Sequence, residues 1–261
     1  MKKLKIVSTI EARMNSKRLP GKVMKKINGK PMIELLYLRA IKSKLIDEIV
    51  VVTSKNKSDN ILVDFLKSKK IPYFRGSENN VLKRVLMATK KFKADIIVQL
   101  TGDNPLVDSN MIDYMLKYYL KRYPKFNYIT NNGFGIYNKR TVPYGLDIQI
   151  FTYKNLYNNY KKSFKKDLKE HPSLYFYREG KKKYNNKNIE MPSKWKSNLN
   201  LRLTVDTEND LKLMKMIFRN IGGLNNKYFN FEQLIQFANK NKKKFNINQH
   251  VLQRKVDLKN F

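Results

Sequence analysis

The strongest constraint on this chain is a rhythm. Short, apolar, β-rich runs alternate with helical stretches through the first half of the sequence. Residues 5–9 read KIVST, 48–53 read EIVVVT and 95–100 read DIIVQL. Runs of this kind behave as buried strands. Between them, residues 31–44 open on Pro31, a residue suited to a first helical turn, and carry Met32, Leu35, Leu36, Leu38 and Ile41. Residues 58–69 predict a helix capped by Ser58, and 79–92 and 109–123 predict two more. Shorter strands are expected at 71–74 and 128–130. The alternation predicts an α/β fold, a mostly parallel, doubly wound sheet. Such sheets bind ligands outside the carboxyl ends of their strands. Three loops fall there: 11–22, 53–57 and 101–108.

Beyond residue 131 the alternation blurs. Residues 142–151 have strand character, 153–166 helical character, and 171–178 (HPSLYFYR) read as extended. Residues 180–200 are rich in Lys and Asn and read as loop. A strand is expected at 199–205, and helices at 206–219 and 231–240. The organisation read from this is one domain over 1–245, an inserted α+β flap at 131–200, and a polar tail over 246–261.

Composition removes whole classes of chemistry. The chain has 261 residues, 41% of them hydrophobic, enough for a buried core. It has no Cys and only His171 and His250, so thiolate, disulfide and His-rich metal chemistry are excluded. Any metal must be held by oxygen, which points to Mg²⁺ or a similar hard cation. No apolar run reaches the ~20 residues of a membrane helix. The basic N-terminus is interrupted early by Glu11 and Arg13, which argues against a signal peptide and for a cytoplasmic protein. The net charge of +34 invites a nucleic-acid reading. However, the 44 Lys outnumber the 11 Arg, 30 Asn accompany them, and the lysines are scattered. This is a compositional skew over a solvated surface, although such a surface still attracts a triphosphate.

Three loops carry candidate chemistry. The first gathers Arg13, Ser16, Lys17, Arg18 and Lys22 between a strand and a helix, a pattern suited to phosphate and equally to a plain basic loop. The second, Thr101-Gly102-Asp103-Asn104-Pro105, puts Asp103 directly after a strand, where it can bind Mg²⁺ or merely make a turn or cap the next helix. The third, Thr204-Val205-Asp206-Thr207-Glu208, offers Asp206 as a second metal ligand or as a helix N-cap. Together they fit nucleotidyl transfer, which depends on positioning and charge stabilisation rather than on a dedicated nucleophile.

The stretch Ala12-Arg13-Met14-Asn15-Ser16-Lys17-Arg18-Leu19-Pro20-Gly21-Lys22, followed by Asn28-Gly29-Lys30-Pro31, resembles the cytidylyltransferases that activate sugar acids. These include CMP-Kdo synthetase and acylneuraminate cytidylyltransferase. The resemblance is nearest to a subgroup named after spore-coat polysaccharide biosynthesis. Arg75-Gly76-Ser77, Arg84, the loop 101–105, Tyr144-Gly145-Leu146-Asp147, Glu170-His171 and 204–211 follow in the family's order. The resemblance implies a Rossmann-like nucleotidyltransferase with Mg²⁺ as cofactor. It would transfer CMP from CTP to an acidic small-molecule acceptor, for surface polysaccharide or glycoconjugate synthesis. The acceptor's carboxylate or phosphate oxygen would stand in line with the α-phosphate, and pyrophosphate would leave. Arg13, Lys22, Asp103 and Asp206 would be catalytic, the two aspartates holding the metal. Ala12, Arg13, Ser16, Lys22, Thr53, Arg75, Gly76, Ser77, Arg84, Thr101 and Gly102 would bind nucleotide. Tyr144, Asp147, Gln149 and His171 would face the acceptor, and the insert would often support a homodimer.

Gln149 stands where many relatives have Glu, and Pro172 follows His171 where the nearest subgroup has Val-Thr. Both differences fall in the acceptor region. Asn15-Ser16-Lys17-Arg18 replaces the Gly-Ser-Lys-Arg pattern of acylneuraminate enzymes, which disfavours sialic acid. His171 is open to acceptor binding, proton transfer or packing among Tyr175 and Tyr177. Two other functional classes compete with this reading. A glycosyltransferase on a similar sheet would want an Asp-x-Asp metal motif at a strand end, which is missing. A nucleic-acid binder would want an RNP-like arrangement among the 16 Tyr or a helix-turn-helix pattern, and neither is present.

Overall fold

The apolar runs pair as their composition demands. In a computed structural model of the chain, which describes residues 3–253 apart from 198, 224 and 226, β1 (Ile6–Glu11) lies at the centre of a seven-stranded sheet. After a two-residue hairpin of β2 (Lys26–Ile27) and β3 (Lys30–Pro31) comes α1 (Met32–Ala40). Then follow β4 (Glu48–Ser54), α2 (Asn60–Ser68), β5 (Tyr73–Gly76), α3 (Val81–Lys91), β6 (Ile96–Thr101), α4 (Ser109–Lys121) and β7 (Tyr128–Thr130). The later part supplies β8 (Gln149–Thr152), α5 (Tyr153–Tyr160), α6 (Lys166–Glu170), α7 (Leu174–Tyr177), β9 (Asn186–Asn188), α8 (Glu208–Ile217) and α9 (Phe231–Lys240).

The strand order is β5-β4-β1-β6-β8-β7-β9. The first four are parallel, β8 runs antiparallel between β6 and β7, and β9 pairs parallel with β7. The chain leaves β1 toward β4 and β5, then returns to place β6 on the other side. The strand order therefore reverses at β1 and β6, where doubly wound sheets open their ligand crevice. Residues 131–200 contribute β8 and β9 to this same central sheet.

Alternation along β1 divides the core. Ile6 and Ile10 pack on one face with Ile49, Val51, Val98 and the inner sides of α1, α2 and α4. Val7 packs on the other with Val50, Val52, Ile97, Phe151 and the inner side of α3. Thr9 and Glu11 continue this second face, which turns polar as it reaches the carboxyl edge.

Four local expectations are corrected. Ser58 does not cap a helix: Asn56 accepts its amide at 2.9 Å and opens a 3-10 turn at Lys57–Asp59. Residues 171–178 are not extended, because α7 buries Phe176 against the sheet face while Leu174 packs with Leu168 and Tyr175. Residues 199–205 do not form a strand. Their one sheet-like contact is the parallel bridge of Arg202 with Tyr144. Asp206 does not cap α8: Thr207 does, in a capping box with Asp210. A 3-10 helix over Lys242–Asn248 runs across the expected start of the tail at 246, and the tail from 254 onward lies outside the described residues. Among the described residues, no helix is long and apolar enough to cross a membrane.

Candidate active site

Two close backbone approaches bring the site together. The amide of Gly102 donates to the carbonyl of Glu11 at 2.9 Å, and a Cβ at Gly102 would meet that carbonyl at 2.8 Å. Only glycine lets the turn after β6 sit against the end of β1. Gly145, at φ 100°, lies so close to the 203–204 peptide that a Cβ would stand 2.3 Å from the Leu203 carbonyl. There, Leu203 donates to the Tyr144 carbonyl at 2.7 Å and Val205 to the Asp103 carbonyl at 2.8 Å. The segment 201–206 is thereby threaded between the insert and the β6 loop. Asp206 arrives beside Asp103, about 100 residues earlier in the chain.

A lysine joins the two acids. Lys22 Nζ donates to Asp103 Oδ2 at 3.1 Å, to Asp206 Oδ1 at 3.0 Å and to the Val205 carbonyl at 2.9 Å. Asp206 also receives Arg18 at 2.8 Å and Arg202 at 2.9 Å on Oδ2. Burial by itself would lower the Lys22 pKa, but Asp103 and Asp206 outweigh it and hold Lys22 above its ordinary value. Burial would likewise raise Asp206, yet Lys22, Arg18 and Arg202 keep it below the usual carboxylate range. Asp206 is therefore anionic at neutral pH.

The cluster lies in a cleft of about 920 Å³ at the carboxyl edge of the sheet. One wall is the loop after β1, with Ala12, Arg13, Ser16, Lys17 and Arg18. This loop is tied down by Asp59, which accepts the Met14 amide at 2.7 Å and also takes the Thr53 hydroxyl and the Ser54 amide. The floor is Glu11, Arg84, Gln99, Thr101 and Gly102. The opposite wall comes from the insert and includes Tyr144, Asp147, Gln149 and His171.

The structure thus brings most of the predicted residues to one cavity, and leaves four outside its lining. Thr53 is fully buried, and its hydroxyl is used on Asp59. Arg75 braces the β4 loop by donating to the Ser54 and Asn56 carbonyls at 3.0 and 2.9 Å. Gly76 allows a close approach of Arg84, whose Cγ would lie 2.7 Å from a Cβ at that position. Ser77 offers its carbonyl to Arg84 at 2.6 Å.

Within the wall from the insert, Arg140 pairs with Asp147 and also faces the Asn132, Val142 and Pro143 carbonyls. Gln149 accepts the Tyr128 hydroxyl at 2.7 Å. His171 stands exposed to the cleft, yet the surrounding protein withdraws enough water to lower its pKa, against the pull of Glu170 and Asp167. It is a neutral imidazole at neutral pH.

Sequence reasoning missed Glu11, Gln99, Arg140, Arg202 and Gln253. Glu11 accepts Gln99 Nε2 at 2.9 Å and the Thr9 hydroxyl at 2.8 Å. Burial pushes it from 4.5 up to about 7, with Asp103 adding to the rise and Gln99, Thr9 and Arg84 opposing it. Its signal was available: an acid at a position that alternation along β1 assigns to an inward face. Arg202 had a local signal in its place four residues before Asp206, whereas Gln253 had none, since its partner Arg202 is distant in sequence.

Two carboxyl groups within reach of one ammonium form a hard-oxygen donor pair. Among the described residues no third acid or His completes a metal cage. That donor set suits an ion that takes one or two carboxylates and fills its remaining positions with phosphate oxygens and water, as Mg²⁺ does.

Comparison with known proteins defines the class. A sequence profile of the cytidylyltransferase family matches residues 7–248, and the chain belongs to that family, whose members are nucleotidyltransferases. An uncharacterised protein of Methanocaldococcus jannaschii is 35% identical over 96% of this chain and 97% of its own length. The spore coat polysaccharide biosynthesis protein SpsF of Bacillus subtilis is 30% identical over 83% of this chain and 88% of its own. A cytidylyltransferase structure from Leptospira borgpetersenii superposes with a TM-score of 0.85 at 30% identity, covering 96% of this chain and all of that one. A CMP-2-keto-3-deoxy-manno-octonic acid synthetase in complex with CTP shares the fold, with a TM-score of 0.60 at 20% identity.

Proposed function

We propose that this enzyme transfers CMP from CTP to an acidic sugar or a related small-molecule acceptor, with release of pyrophosphate, in the synthesis of a surface glycoconjugate. The observation that carries this is the convergence of Asp103 and Asp206 on Lys22 beside the basic loop of Arg13, Ser16, Lys17 and Arg18. Relatives of this chain supply the donor and acceptor classes. One is named for spore-coat polysaccharide synthesis, and others, matching under half the chain, are 3-deoxy-manno-octulosonate cytidylyltransferases.

In this reading the loop 12–22 receives the triphosphate. Its backbone and cations oppose the charge that accumulates as the bond between the α- and β-phosphates breaks. An acceptor oxygen forms the new bond to the α-phosphorus, and the electron pair of the broken bond leaves on pyrophosphate. An anionic acceptor oxygen needs no base, which agrees with a site built on charge rather than on a nucleophile. Lys22 holds the two aspartates together before the nucleotide arrives and faces the phosphates afterwards. Asp103 and Asp206 would hold Mg²⁺, which supplies charge neutralisation and in-line orientation of the triphosphate. Tyr144, Asp147, Gln149 and His171 orient the acceptor from the insert wall, His171 as a neutral hydrogen-bonding group.

Thermal stability measured with each of the four nucleoside triphosphates and Mg²⁺ tests the donor, because a bound ligand raises apparent stability by mass action. CTP should give the largest shift. A panel of sugar acids and phosphorylated acceptors, assayed for pyrophosphate release, then identifies the acceptor. Equal shifts for all four triphosphates would contradict the donor assignment.

A further inference from the structure

The C-terminal segment enters the cleft. The 3-10 helix Lys242–Asn248 packs against α8 and α9, with Phe245 buried and set edge-on to Phe237. At its end Asn248 is fully buried, and its amide nitrogen donates to the Arg202 carbonyl at 3.0 Å and to Asp210 Oδ1 at 2.8 Å. The chain turns there, as Val251 donates to the Asn248 carbonyl at 3.1 Å. The next two residues reach the basic cluster. The Leu252 carbonyl accepts Arg18 Nη1 at 3.3 Å while the Leu252 side chain stays 87% exposed. Gln253 lines the cleft, and its amide oxygen accepts Arg202 Nη1.

These contacts close a ring around Asp206. Arg202 donates from Nε to Asp210 at 3.0 Å, from Nη2 to Asp206 at 2.9 Å, and from Nη1 to Gln253. Asp210 is fully buried and also receives the amides of Asp206 and Thr207, so it is a fixed anchor. A guanidinium is a rigid planar fork, and three partners on its three nitrogens fix both its position and its tilt. Arg18 approaches Asp206 Oδ2 from the other side at 2.8 Å and is itself anchored on the Leu252 carbonyl. Asp206 is therefore held between two guanidinium groups, and the C-terminal segment accepts from the outer end of each.

We propose that Gln253 is a positioning residue of the phosphate site, holding Arg202 so that Arg202 aims Asp206 into the cleft. The proposal rests on the cytidylyltransferase reading of that cleft. It assigns a role to a segment with no sequence signature of function. Without the Gln253 acceptor, Arg202 keeps two partners and can tilt about them. Asp206 then loses its fixed aim, and small misplacements at a charge-handling site carry large costs.

Two variants and two readouts test this. Gln253→Met keeps the length of the side chain and removes the acceptor, and Gln253→Glu keeps an acceptor for Arg202. In nucleotide-free protein, the Arg202 guanidinium nitrogens should give distinct NMR signals that Q253M merges and Q253E retains. By calorimetry, Q253M should weaken CTP binding in the presence of Mg²⁺ by about tenfold to 100-fold, the range expected for a lost hydrogen bond to a charged group, with Tm unchanged. Q253E should stay close to the wild type. Wild-type affinity in Q253M, or equal losses in Q253M and Q253E, overturns the positioning role. A wild-type protein that binds no CTP overturns the functional reading instead, and the two failures are distinguished because the Arg202 signals report on Gln253 without any nucleotide.

Discussion

Lys22 is the residue on which the local electrostatics turn. Replacing it by Met leaves Asp103 and Asp206 facing each other without their shared cation, and it also removes a charge from the wall proposed to receive the triphosphate. The expected result is a fall in turnover of about 100-fold or more, read as pyrophosphate release. A second residue-scale prediction concerns Glu11, raised to about 7 by burial. Between its ordinary 4.5 and about 7, folded Glu11 keeps a proton that the unfolded chain has lost. The folded state binds more protons across that window, so this carboxyl makes stability fall as pH rises through it, with no further change above. Tm of the wild type should therefore drop relative to Glu11→Gln between about pH 5 and about pH 8. Parallel curves for the two proteins would show that Glu11 is not the group responsible. Single residues were legible in the sequence where the chain placed an acid just after a strand, as with Asp103, or a cation in the loop between β1 and α1, as with Lys22. Gln253 was not, because it matters only through Arg202, a partner that sequence separation hides.

At the scale of elements, the site depends on connections more than on the strands themselves. Gly145→Ala would put a methyl group into the Leu203 carbonyl and break the bridge between Tyr144 and Arg202. It should cost more than about 1 kcal/mol of stability and lower activity together with it, since Asp206 follows that segment. Denaturant unfolding and an activity assay on the same preparation would check both effects. Thr207→Ala removes the cap of α8 and should cost about 1 kcal/mol. The strands β1, β4 and β6 were readable because continuous β-branched runs have no other way to be buried. α9 was readable from its apolar spacing. Residues 171–178 misled because aromatic-rich runs suit strands and buried helical turns alike. The expected strand at 199–205 failed because its hydrogen bonds go to two separate loops, which no local pattern encodes.

Across the whole molecule, the reversal of strand order at β1 and β6 places the basic loop and the β6 aspartate side by side. The insert then provides a facing wall, and the segment 201–206 delivers the second aspartate. The doubly wound architecture and the location of the cleft followed from alternation alone. The facing wall did not, because it is assembled from residues of β8 and the loops around it, whose pairing depends on tertiary contacts. In the proposed function the cleft holds a nucleoside triphosphate along residues 12–22, with a divalent ion between Asp103 and Asp206. A crystal structure of the protein with CTP and Mg²⁺ would decide this. The triphosphate should lie on the basic loop, with the metal bound by both carboxylates. Nucleotide bound elsewhere, or a metal that neither aspartate touches, would contradict it.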